Sequence, residues 1–105
     1  MSETVGEEML AELRGFDTPT LCNAMEVVLP SRQGYGFTRT PLYCAHPELA
    51  PMVGFARTAR VCASRPSDRD PAAEREVRLA YYRHIAEPPQ PTITVIEDID
   101  REPVG

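Results

Sequence analysis

At 105 residues, 42% hydrophobic and 26% charged, the chain has the size of at most one domain, able to bury roughly 60–70% of its unfolded surface. Its apolar runs fall short of the ~18 residues of a membrane span, and its acidic start lacks the basic head and apolar core of a secretory signal, so a cytoplasmic protein is expected. The net charge of −5, with all eleven basic residues arginines spread along the chain, argues against a nucleic-acid partner.

Thr4 and Glu7 have the spacing of a capping box, and Met9, Leu10 and Leu13 follow on one face. That predicts a first helix over about 5–14, ended at Gly15. Asp17 or Thr18 caps a second helix over about 19–28, with Pro19 at its first position, where a missing N–H costs nothing. Leu21, Ala24, Met25 and Val28 give this helix an apolar stripe, and Pro30 stops it. Asn23, polar among apolar neighbours, is expected to anchor a loop or cap a buried backbone group.

Residues 30–51 hold Pro30, Pro41, Pro47 and Pro51 with Gly34 and Gly36, which predicts a loop with a short extended piece at 35–43. Gly34-Tyr35-Gly36 lacks the spacing of a P-loop or a dinucleotide fingerprint and reads as a turn. Over 52–63, Val53, Phe55, Ala59 and Val61 alternate with Gly54, Ala56, Thr58 and Cys62, which predicts a strand buried on much of both faces. Arg57 and Arg60 then point to opposite faces, so they do not clamp one ligand together.

Asp70-Pro71 repeats the cap-then-proline signal. Ala73, Val77, Ala80, Tyr81, His84 and Ile85 mark the stripe of a helix over 71–86, ended by Pro88-Pro89. The short β-branched run over 92–97 predicts an interior strand. Strand, helix, strand is the order of a parallel β-α-β crossover and places the chain in the α/β class. So small a parallel sheet leaves a face and its edges open, and a whole domain is expected to continue past Gly105.

The candidate chemistry gathers at the end of that last strand. Glu97, Asp98, Asp100 and Glu102 sit where α/β sheets open their ligand crevice, and carboxylates there suit a hard cation. With no companion histidine or second carboxylate motif, the cluster reads first as a solvated loop bordering a site. His84, on the apolar stripe, reads as a packing residue. Cys44 and His46, two residues apart with no shaped turn between them, do not suggest a nucleophile and base. Cys22, Cys44 and Cys62 have neither zinc-module nor paired spacing and read as buried free thiols. Arg57, Arg60, Arg65 and Arg69 form the densest basic stretch and read as solvated side chains.

Asp17-Thr18-Pro19-Thr20, Asn23-Ala24, Val53-Gly54-Phe55-Ala56-Arg57-Thr58-Ala59 and the Thr92-Ile93-Thr94-Val95-Ile96 strand together resemble the opening half of the RraA-like family. That family includes the regulator of ribonuclease activity A and metal-dependent 4-hydroxy-4-methyl-2-oxoglutarate aldolases. The resemblance runs from about Leu13 through Asp98 and implies a swivelling β/β/α domain, assembled as homotrimers or homohexamers with sites between subunits. It implies Mg²⁺ or Mn²⁺ and a 2-oxo acid substrate, the cation stabilising an enolate in retro-aldol cleavage or oxaloacetate decarboxylation.

The family's Gly-rich substrate loop and later G-x-x-R-D segment do not occur in these 105 residues. The Arg69-Asp70 pair matches a helix cap instead. The resemblance therefore implies the N-terminal portion of a lyase without its catalytic half. It assigns no catalytic residue and no metal ligand, with Asp98, Asp100 and Gly105 bordering the site and Gly105 marking where the Gly-rich loop begins. The alternative it offers is a non-enzymatic regulator that acts by binding a protein.

Overall fold

The computed structural model describes residues 5–34, 36 and 38–102. They form a mixed α/β chain of three α-helices, one 3₁₀ turn and a two-stranded parallel sheet. The chain divides into two units between Met52 and Val53. No described helix is long and apolar enough to cross a membrane.

In the first unit, α1 spans Glu7–Leu13 behind Gly6, which gives no side-chain cap; the Thr4 half of the expected capping box lies outside the described residues. Leu10 is the buried residue of this helix, 5% exposed, while Met9 on the expected apolar face stays exposed. The second helix, α2, spans Thr18–Val28, and Asp17 caps it by accepting from the Thr20 N–H at 3.0 Å. Pro19 falls on the second helical residue, one later than the sequence suggested, which is equally free of an intrahelical N–H demand. Thr20, through its side chain and then its N–H, holds the Asp17 carboxyl below the usual carboxylate range.

The stripe expected to bury α2 is only partly covered, since Leu21 is half-buried but Met25 and Val28 are exposed. Asn23 is exposed as well. Among the described residues α2 has no buried residue for it to cap. Pro30–Arg32 form a 3₁₀ turn, and Gly34 takes φ 79°, a left-handed turn conformation that glycine adopts without a Cβ clash. No strand forms over the described residues of 35–43; the expected extended piece is irregular, and Tyr35 and Phe37 within it lie outside the described residues.

The second unit is the expected β-α-β unit. β1, Phe55–Val61, pairs in parallel with β2, Thr92–Asp98, and α3, Pro71–Ala86, joins them. The register sets Phe55 against Thr92, Arg57 against Thr94 and Arg60 against Glu97. Because side chains alternate across a sheet, Phe55, Arg57, Ala59, Thr92 and Thr94 share the face that α3 covers. Ala56, Thr58, Arg60, Val95 and Glu97 share the other.

That second face is open: Ala56, Thr58 and Arg60 are exposed, and Val95 is 57% exposed. The expectation of a strand buried on both sides is therefore corrected. The alternation of β1 carries apolar or small residues in both rows, but one layer of helix is available and it covers one row. Exposure of Val61 and Ile96, at the far end of the helix face, shows that α3 covers mainly the part of the sheet nearest its own C-terminus.

The reason is visible in the hydrogen bonds. Asp70 starts α3 by accepting from the Ala73 N–H at 2.8 Å, with Pro71 at the first position. At the other end the last carbonyls all find donors. Arg57 Nε donates to His84 O at 3.2 Å and its Nη2 to Glu87 O at 2.8 Å. Gln90 Nε2 donates to Ala86 O at 2.9 Å, and Thr92 Oγ1 to Ile85 O at 2.9 Å. A guanidinium at the negative end of a helix satisfies orphan carbonyls and complements the helix dipole together. Arg57 is thus a cap for α3, not the solvated residue the sequence suggested.

Candidate functional site

The carboxyl ends of β1 and β2 meet in one cluster of polar side chains. Ile99 N–H extends the ladder to Val61 O at 2.9 Å, which delivers Asp100 beside the loop that leaves β1. The Asp100 carboxylate then accepts from four donors of that loop: Cys62 Sγ at 2.9 Å, Ala63 N–H at 2.8 Å, Ser64 N–H at 3.1 Å and the Ser64 hydroxyl. Asp98 folds the approach, its Oδ1 accepting from the Asp100 N–H at 3.0 Å.

Four donors on one carboxylate stabilise its charged form. The Cys62 thiol first, then the Ser64 hydroxyl and the Ala63 N–H, push the Asp100 carboxyl far below the usual range. The Cys62 sulfur is also the main influence on Arg65, which it holds above its ordinary value, with Asp100 and Asp68 adding to the effect. Arg65 stays charged at any pH the folded chain meets.

Beyond Cys62 the loop borders an open cavity of about 340 Å³, lined by Cys62, Arg65, Pro66, Ser67, Asp68, Arg69 and Glu74. Its charges answer one another. Arg69 lies 3.7 Å from Glu74, and the Ser67 hydroxyl donates to the same carboxylate at 2.6 Å. Arg65 and Arg69 are balanced in formal charge by Asp68 and Glu74.

The residues expected to border a site are only partly brought together. Asp98 and Asp100, two residues apart, are half-buried; both Asp100 oxygens accept from the β1 loop, and Asp98 Oδ1 accepts from the Asp100 N–H. Glu97 turns to the open sheet face and pairs with Arg60 at 3.7 Å, and Glu102 is exposed. Gly105 lies outside the described residues. Among the described residues no three His, Cys, Asp or Glu side chains converge as a metal site would need. Asp100, with both carboxylate oxygens taken by the β1 loop, offers no free oxygen to a Mg²⁺ or Mn²⁺ ion, which is held through carboxylate and water oxygens.

His84 is exposed, with its backbone carbonyl and not its ring tied to Arg57. Although it lies in the last turn of α3, where the helix meets the sheet, its side chain faces solvent, so the packing role expected of it is corrected. His46 Nδ1 lies 3.3 Å from Glu48 on an exposed loop. The three cysteines are free, with Cys44 exposed and Cys22 and Cys62 half-buried, so the buried thiols expected from the sequence are corrected.

Sequence reasoning named Asp100 only as bordering a site and Arg57 only as a solvated side chain, and missed the hydrogen-bond networks that make them the two most connected side chains of this unit. For Asp100 a local signal existed, the Asp-x-Asp spacing that closes a turn through Asp98. For Arg57 there was none, because its partners at the end of α3 lie 27 to 32 residues away. Compared with known proteins, the chain matches no family model, no curated protein and no solved structure.

Proposed function

We propose that the chain is RraA-like, a swivelling β/β/α domain that works in a homotrimeric or homohexameric lyase on a small 2-oxo acid. The type is that of 4-hydroxy-4-methyl-2-oxoglutarate aldolase or oxaloacetate decarboxylase. The observation that carries the reading is the β1–α3–β2 unit: the two strands bearing the resemblance are parallel neighbours whose carboxyl ends open onto the Asp98 to Glu102 loop. Open α/β sheets bind ligands at that end. The part given to these residues is a scaffold bordering the site. Asp100 fixes the β1 loop through Cys62, Ala63 and Ser64, and no reaction step through Mg²⁺ or Mn²⁺ is assigned to it.

A second reading, a regulator acting by protein binding, draws on the exposed apolar side chains of α2 and of the open sheet face, Val27, Val28 and Val95 among them. The two readings separate in one assay. The protein expressed from its own gene, at the length the cell makes, is given oxaloacetate with Mg²⁺ or Mn²⁺. Metal-dependent pyruvate release above the free-metal background supports the lyase; none at any metal concentration leaves the regulator. The 105-residue chain alone is expected to release no pyruvate above that background, and turnover by it would overturn the scaffold role.

A further inference from the structure

We draw no further inference here: the strongest candidate, the cavity between the loop after β1 and the first turn of α3, carries nothing, because Arg65 and Arg69 are matched there by Asp68 and Glu74 and its nucleophile is a lone cysteine whose thiol already bonds Asp100.

Discussion

Arg57 and Glu87 stand 30 residues apart in sequence, yet the Arg57 Nη2 lies 2.8 Å from the Glu87 carbonyl oxygen. The same guanidinium reaches His84 O at 3.2 Å, so one side chain of β1 closes the C-terminus of α3. Replacing Arg57 with Ala leaves those carbonyls to water and is expected to destabilise the 53–102 unit by roughly 1–2 kcal/mol. Arg57→Lys recovers little, since an ammonium lacks the planar fork that serves two carbonyls. Faster amide exchange in the last turn of α3, with a lower urea midpoint, is the expected result; unchanged exchange in Arg57→Ala removes the capping role.

The Asp100 contacts predict a loop anchor that resists acid. The carboxyl is depressed in the folded chain, so its stabilising effect is present above the unfolded value of about 3.9 and is lost only as pH falls through the lower folded value. Exchange of the Ala63 and Ser64 amides is therefore expected to stay slow, once corrected for intrinsic rates, from neutral pH down to about pH 4. Asp100→Asn is expected to lose this protection throughout that range, since a neutral amide replaces the charged acceptor. A wild-type protection that fades near the ordinary carboxyl value counts against the anchor.

Cysteine reactivity should follow position. Denatured without reductant, the chain is expected to titrate three thiols. Folded, Cys44 should react first with a thiol reagent because it is exposed, and Cys62 later because it is half-buried and hydrogen-bonded to Asp100. Asp100→Asn should speed Cys62 and leave Cys44 unchanged, read by mass spectrometry of the labelled peptides. Equal rates for the two cysteines in the wild type defeat the ordering.

Gly54 is expected to tolerate no side chain. A Cβ there sits 2.8 Å from Pro91 O and 3.2 Å from Pro91 C, both backbone atoms, so the strand starts must part to admit it. Gly54→Ala is expected to cost about 1–3 kcal/mol in the urea midpoint, the range of an overpacked site. A neutral substitution shows that the two strand starts do not approach as closely as this.

What the sequence made legible was carried by local signals. Asp17 and Asp70, each near a proline, announce helix starts that need only the next three residues, and the β-branched run at 92–97 names its own strand. The parallel pairing followed because a 16-residue helix separates the strands. Coverage was not legible. Val53 to Val61 offers two acceptable apolar rows, and which one meets α3 depends on where Arg57 finds the helix end. Likewise Asp100 looks like one more acidic loop residue until Cys62 and Ser64 are brought to it from 36 to 38 positions away. Long-range satisfaction of polar groups leaves no periodicity to read.

The short approach at Gly54 also acts as a gauge for the sheet. It lets the Phe55 N–H reach Pro91 O at 2.8 Å, one step before the Phe55–Thr92 pair. A slip of the chain by one position turns each side chain to the opposite side of the sheet. Slipped in that way, β1 would present Arg57 to water and Arg60 has no helix end to meet, while the final carbonyls of α3 lose their cation. The misaligned sheet and the uncapped helix are therefore a single fault, so a chain that mispairs its strands is also one whose crossover helix frays.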